Sequence, residues 1–349
     1  MILTNLKDRL VEWLKGGPEG DVAVSSRVRL ARNVAGHPFV GWASDKQKAA
    51  VEVLLRNVLL SADVTPPLTY VELHGLDDIL KDLLLERRLI SHQHAEADWV
   101  RGVAFDHDEQ LSVMVNEEDH VRIQSIRGGL QLEEAYRGAD RFDDLLAERV
   151  PFAYSAQYGY LTACPTNVGT GLRASVMLHL PGLTMTHRMD QVIKVAERKR
   201  LSLRGIYGEG THGAGDFYQI SNRASLGVCE EEVIESVAAG TSRLTEMERR
   251  ARSDLCSNDP DGFREHLRMA FHMLSCANSI SSQETLSLLS QVRMGLAMSV
   301  LSGTRFETLN ILFLLTLPAH LQTMEGRVVD SSIRNELRAD YVKRILASG

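Results

Sequence analysis

Apolar residues recur along this chain with two periods, and their order sets out the elements. Alternation at every second residue predicts extended segments over 22–33, 68–73, 100–105, 111–115, 201–207 and 217–221. Spacings of three and four predict helices over 44–61, 76–89, 131–150 and 183–200. Residues 106–109 read as the turn of a hairpin. Residues 1–13, with Lys7, Asp8, Arg9 and Glu12 among apolar positions, read as an amphipathic helix and not as a signal peptide. From Glu230 onward helix follows helix: 230–252, 261–277, 284–301, 307–315 and 331–346. Ser281 and Glu284 have the spacing of a capping box. The breakers in 257–262 place a boundary near 253–262. The chain therefore divides into an N-terminal helix (1–20), a mixed domain (21–252) and a helical domain (253–349). Its strongest apolar run, 311–317, stops at Pro318, far short of the ~20 residues of a membrane span.

One stretch organises the middle of the chain: Cys164-Pro165-Thr166-Asn167-Val168-Gly169-Thr170-Gly171-Leu172-Arg173. It reads as a strand end, a glycine loop, and then a helix from Arg173 to Leu180. A helix start there would offer free N–H groups to a phosphate, with Arg173 adding a charge. Cys164 is placed to have its thiol pKa lowered. An ordinary strand-to-helix turn with a buried cysteine remains the alternative.

Composition narrows the classes. At 349 residues the chain is too long for one ordinary core. A net charge of −7 argues against nucleic acid as a direct partner. Four cysteines (Cys164, Cys229, Cys256, Cys276) lie far apart with no CxxC pair, so neither zinc nor a disulfide framework is signalled, and a reducing, cytoplasmic setting fits. His92 and His94 read as exposed loop residues, since no carboxylate or cysteine completes a metal set beside them. Arg87 and Arg88 suit a helix C-terminus by dipole alone.

Five arginines stand beside predicted strand ends or loops: Arg27, Arg29, Arg122, Arg173 and Arg204. On a strand Arg27 and Arg29 share one side, where two guanidinium groups repel unless an anion lies between them. Arginine suits bidentate phosphate contacts. No GxxxxGK[ST] loop and no HRD or DFG motif occurs, so the two common nucleotide-enzyme classes are excluded. The acids Glu117, Glu118 and Asp119 form either a solvated turn or a cation site with a base. Glu209, in the glycine-rich run 205–215, is a loop-tip charge or a mobile catalytic carboxylate.

Four blocks in order, Ser26 to Arg29, Asn116 to Ile123, Cys164 to Ser175 and Arg204 to Glu209, resemble the signatures of the ATP:guanidino phosphotransferases, the creatine and arginine kinase superfamily. The resemblance covers about 21–252. It implies an α+β catalytic fold, an antiparallel sheet flanked by helices, followed here by an all-helical C-terminal domain. It implies that Arg27, Arg29, Arg122, Arg173 and Arg204 hold ATP phosphates, with Ser25, Ser26, Val28, Arg88, Ala174, Ser175, Val176, Met177, Gly205, Ile206, Tyr207 and Gly208 lining the nucleotide. Glu118 and Glu209 would grip the guanidinium, Cys164 would assist, and Mg²⁺ would accompany ATP. No resident metal site is implied. Free-guanidine kinases carry a helical domain ahead of the first block, and here that block begins near residue 25 and the helices follow. This order is similar to the protein-arginine kinases of the superfamily.

Protein arginines are then the expected acceptor, with free arginine, or a non-catalytic adaptor, as the alternatives. Expected partners are exposed arginines of substrate proteins, a heat-shock repressor, an activator protein and a Clp-type unfoldase, with the enzyme as a homodimer or higher homo-oligomer. Two departures stand out. Arg88 lies where a nucleotide-contacting histidine is expected. The element Arg334-Asn335-Glu336-Leu337-Arg338-Ala339, expected to bind phosphoarginine allosterically through Arg334, Asn335 and Arg338, has Asn335 in place of aspartate.

Overall fold

A computed structural model describes residues 6, 9–61, 64–206 and 213–348. Its frame is set by strands whose alternate residues differ sharply in polarity. The strands are β1 (Ala23–Arg32), β2 (Thr69–Glu72), β3 (Gly102–Phe105), β4 (Leu111–Val115), β5 (Val121–Gly128), β6 (Tyr154–Ser155), β7 (Gly159–Tyr160), β8 (Leu172–His179), β9 (Leu201–Gly205) and β10 (Phe217–Asn222). Eight form one sheet in the order β2-β3-β4-β5-β1-β8-β10-β9, antiparallel throughout, and β6 pairs with β7 separately. The helices are α1 (Asp45–Leu59), α2 (Asp78–Glu86), α3 (His92–Glu96), α4 (Leu132–Ala147), α5 (Pro181–Met185), α6 (Met189–Arg198), α7 (Glu230–Asn258), α8 (Pro260–Cys276), α9 (Ser282–Ala297), α10 (Phe306–Leu315), α11 (Pro318–Glu325) and α12 (Ser331–Ser348).

Val28 and Leu30 of β1, Val121 and Ile123 of β5, Ala174 and Val176 of β8, and Ile220 of β10 bury one face of the sheet against α4 and α7. That face is the main core. The opposite face is covered in part: Val103, Phe105 and Met114 pack with Leu83 and Leu84 of α2 and Ala319 of α11, and the other covered stretch meets the C-terminal helices. There Val24 and Phe217 pack with Leu289, Leu312 and Phe313 of the C-terminal helices. Ile126 packs with Trp13, Leu314 and Leu317. The rest of this face is polar.

Several expectations need correction. Residues 173–180 are a strand, not a helix: Leu172, Ala174, Val176 and Leu178 are buried at period two, and the ladder to β1 and β10 satisfies their backbone groups. No helix therefore starts at Gly171 to receive a phosphate. Within the described residues, the helix expected over 1–20 is one 3-10 turn, Glu12–Leu14. Residues 183–200 divide into α5 and α6 around His187, whose φ of 55° breaks the helical path. The helix expected to end at Arg252 runs on to Asn258. His94 is not exposed: it is buried in α3, with its Nε2 3.0 Å from the Gly102 carbonyl oxygen.

Candidate active site

The loop before β8 takes its path from two glycines. Gly169 has φ +110°, and a Cβ there would lie 2.2 Å from the Ser225 oxygen; Gly171 has φ +67°, and its Cβ would strike the Ala31 oxygen at 2.6 Å. The loop so placed brings Cys164 to the end of the sheet near the β4–β5 turn. That turn carries the three acids, and each has a different environment.

Glu117 is buried, ion-paired with Arg122 and hydrogen-bonded by Ser91 Oγ. Burial works to raise its pKa, but Arg122 and Ser91 outweigh it and hold the carboxyl below its usual range. Asp119 is also buried. It accepts hydrogen bonds from Asn33 Nδ2 and from the Ala163 amide, each at 2.6 Å, and so ties the turn to the residue before Cys164. Glu118 is the most exposed of the three and lines a cavity. Burial and then the neighbouring Asp119 push its pKa up, opposed by Arg122 and by a hydrogen bond from the Cys164 thiol. A carboxylate so tuned is a stronger base than an exposed glutamate.

The polar face of the sheet gathers the arginines. Arg29 on β1 stands directly opposite Arg173 on β8 and opposite Gln124 on β5, while Arg122 is the diagonal neighbour. Arg27 follows two residues along β1 and donates to Gln219 Oε1 at 2.8 Å. Gln219 in turn faces Arg204 on β9. Four strands thus place five cations on one surface. Arg29 has its pKa lowered well below the ordinary value, by burial first and then by Arg27, Arg122 and Arg173. Its Nε has no hydrogen-bond partner in the structure, nor has that of Arg173. Arg173 is lowered too, by burial and then by Arg204 and Arg122, and its Nη2 donates to Ser221 Oγ at 3.2 Å. Half-buried like charges with unused donors form a site that favours a polyanion.

Two cavities flank this cluster. One, of about 700 Å³, is lined by Arg27, Arg29, Arg88, Arg204, Gly205, Ile206 and Gln219, with Asp82, Ser91 and His92 on the far wall. The other, of about 680 Å³, contains Glu117, Glu118, Ala163, Trp42 and Trp99, and no lysine or arginine lines it. They meet where Ser91 of the first bonds Glu117 of the second.

The chain matches the family model of the ATP:guanido phosphotransferase C-terminal catalytic domain over residues 50–251, and that of the protein-arginine kinase McsB C-terminal domain over residues 261–349. It is 41% identical to the protein-arginine kinase of Halothermothrix orenii, across 97% of this chain and 98% of that protein. It is 38% identical to the protein-arginine kinase of Bacillus pumilus, across 98% and 94%. The chain belongs to the protein-arginine kinase family. Solved structures that resemble it include the duplicated taurocyamine kinase of Schistosoma mansoni with transition-state analogue components, with a TM-score of 0.61 and 30% identity over 67% of this chain and 34% of that one. A lombricine kinase gives a TM-score of 0.60 with 25% identity over 71% of each chain.

Seen as a protein-arginine kinase, the molecule brings together Arg27, Arg29, Arg88, Arg122, Arg173, Arg204, Gly205 and Ile206 on the sheet's polar side, with Glu118 and Cys164 beside them. Ser25, Ser175 and Met177 line a small recess with Arg27 and Arg88. Ser26, Val28, Ala174 and Val176 are not gathered there. Val28, Ala174 and Val176 fill the opposite core, and Ser26 Oγ accepts from the Gln131 amide and donates to the Gly129 oxygen. Tyr207, Gly208 and Glu209 lie outside the described residues.

Of Arg334, Asn335 and Arg338, the first two are half-buried and the third is buried. Arg338 is 1% exposed and donates to the oxygens of Thr316 (2.8 Å), Ile280 (2.9 Å) and Asn335 Oδ1 (2.8 Å); Arg334 donates to the Val329 oxygen at 2.5 Å. Sequence reasoning missed Ser91, Gln219 and the two tryptophans. Ser91 had a faint signal as the N-cap of α3, where its Oγ accepts from the His94 amide.

Proposed function

We propose that this chain transfers the γ-phosphoryl group of ATP to the guanidinium of arginine side chains in proteins, giving phosphoarginine. The observation that carries this reading is the junction, at Ser91 and Glu117, of a cationic cavity with an acidic one. The triphosphate belongs on the side of Arg27, Arg29 and Arg204. There it would meet the unused donors of Arg29 and Arg173 and relieve their repulsion. The acceptor belongs on the side of Glu118.

Deprotonating a guanidinium in advance at pH 7 would cost roughly 7 kcal/mol. Glu118 removes that need by accepting the proton as the N–P bond forms, and its raised pKa suits it to the task. Glu117 stays ionised and paired, so Arg122 is fixed between the two cavities. The Cys164 thiol, 3.0 Å from Thr166 Oγ1, lies beside Glu118 and favours its ionised form. Glu209 is proposed as the second carboxylate on the acceptor. Mg²⁺, when bound, supplies further neutralisation of the phosphates. Among the described residues no three His, Cys, Asp or Glu side chains converge, so the ion would arrive on the nucleotide, with Asp82 the open carboxylate on the cavity wall.

We place the reaction in the cytoplasm, where four free cysteines suit a reducing medium. By family likeness the enzyme works as a homo-oligomer alongside a heat-shock repressor, an activator and a Clp-type unfoldase. The test is incubation with ATP and an arginine-bearing protein, with free L-arginine in parallel, followed by mass spectrometry at neutral pH. Acid-labile phosphoarginine on the protein is the expected product. Phosphate only on hydroxyl groups, or only on free arginine, would overturn the assignment.

A further inference from the structure

The acceptor cavity is larger than one guanidinium needs, and its walls are aromatic. Trp42 is 91% exposed, an unusual state for a residue that buries well. The fold does not need this ring, yet the loop that carries it is firmly held. Its turn is closed by the Trp42 and Ala43 amides, which donate to the Phe39 oxygen at 2.8 and 3.0 Å. The Val34 amide donates to His120 Nδ1 at 3.0 Å, so Nε2 carries the ring proton and donates it to the Pro38 oxygen, also at 3.0 Å. His120 closes the turn that bears Glu118. The opposite wall is tethered to the same turn: Trp99 Nε1 donates to the Asn116 oxygen at 2.8 Å. The Trp99 ring and the backbone that carries Trp42 are thus both tied to the turn that bears Glu118. Between them the cavity offers acidic and apolar surface, with no lysine or arginine among its lining residues; Lys48 lies with its Nζ 4.5 Å from the centroid of the Trp99 ring.

Resting on the kinase reading above, we propose that this cavity binds the residues flanking the acceptor arginine, in an extended segment with apolar or aromatic neighbours, and that Trp42 is the specificity-determining contact. The arginine satisfies the acidic floor at Glu118, and the flanking side chains cover Trp42 and Phe39. Preorganised aromatic walls bind at little entropic cost.

The test uses the full-length enzyme at saturating ATP. Two peptides of equal length and charge each hold one arginine, flanked by Leu and Phe in one and by Gly and Ser in the other. The wild type is expected to favour the apolar peptide about ten-fold in kcat/KM, through KM, as expected for one well-placed aromatic contact. Trp42→Ala should reduce that preference to about two-fold, and Trp42→Phe should keep most of it. Equal kcat/KM for the two peptides in the wild type would overturn the proposal. So would an undiminished preference in Trp42→Ala. If the wild type phosphorylates no arginine in either peptide or in any protein, the kinase reading fails, and this proposal with it. A thermal midpoint of Trp42→Ala matching the wild type excludes unfolding as the cause.

Discussion

Arg29→Met should make the ligand-free protein more stable and its nucleotide binding weaker. Arg29 and Arg173 oppose each other in the ladder, Arg122 is diagonal to the pair, and Arg27 is two residues away. Directly opposed side chains start about 5 Å apart at Cβ and diagonal ones about 7 Å. At an effective dielectric near 20, like unit charges at such distances repel by roughly 2–3 kcal/mol per pair. Glu117 returns one attraction, the last in order of size. Methionine fills most of the volume and carries no charge. Solvent at this half-exposed face and the freedom of the long side chains to move apart cut the summed repulsion, so the net relief should be about 2 kcal/mol, read as a melting midpoint a few degrees higher.

The sign reverses once nucleotide is present. A charge-assisted bond to phosphate contributes about 1.5–3 kcal/mol, so the dissociation constant for ATP should rise roughly 10- to 100-fold. Scanning fluorimetry with and without MgATP reads the first effect, and calorimetry the second. A variant that melts earlier without ligand and binds ATP as the wild type does would show Arg29 to be a structural group and refute the reasoning.

Four other substitutions and conditions test separate parts of the molecule. Glu118→Gln should lower kcat by about 10²–10⁴ while ATP affinity changes less than about two-fold; near-normal turnover would remove it as the base. The base must be ionised, so wild-type kcat/KM should fall as pH drops through the raised pKa of Glu118, at higher pH than an ordinary carboxylate would impose. His94 and His120 have pKa values lowered by burial to about 4 from 6.5. The unfolded chain therefore binds their protons first. Their contribution is complete above pH 6.5 and declines toward pH 4, on the order of 3 kcal/mol for each, and urea midpoints at pH 7 and 5 should show the drop. Arg338→Ala should destabilise the protein by roughly 3 kcal/mol or more, since it orphans two buried carbonyls and leaves a void; an unchanged urea midpoint would deny it this role.

Much of the fold was legible where one face of an element differs from the other. The alternation through Val28 and Leu30 predicts both the strand and the shared side of Arg27 and Arg29. The pair Ser281 and Glu284 forms the expected capping box. Residues 173–180 were misread because their other face, beyond Arg173, holds only Ser175, Met177 and the buried His179. A strand covered on both sides gives a short apolar run that fits either period. Arg87 shows a second limit. Its position at the end of α2 suggested a helix-dipole contact, whereas the side chain is buried against Glu109 at 2.6 Å. A partner 22 residues away leaves no local trace. The roles within the acid triplet were hidden for the same reason: only tertiary contacts distinguish Glu117, taken by Arg122, from Asp119, taken by Asn33.

The scattering of the arginines has a physical cause in the antiparallel sheet. A triphosphate needs several cations within a few ångströms, and a single flexible segment carrying them would spread apart through self-repulsion. Ladder bonds fix each arginine on its own strand, and each strand is anchored by apolar residues on its opposite face, Val28 and Leu30 beneath Arg27 and Arg29, Ala174 beneath Arg173. The core thus holds the cations together in the absence of an anion, and the strain appears as the lowered pKa values of Arg29 and Arg173. The acid turn works by the opposite rule. Glu117 is ion-paired with Arg122, and Asp119 is held by Asn33 and the Ala163 amide, which leaves Glu118 as the carboxylate proposed to meet the acceptor. On the proposed reading, preorganised repulsion on one side and the more exposed carboxylate, Glu118, on the other would direct ATP and arginine to separate cavities.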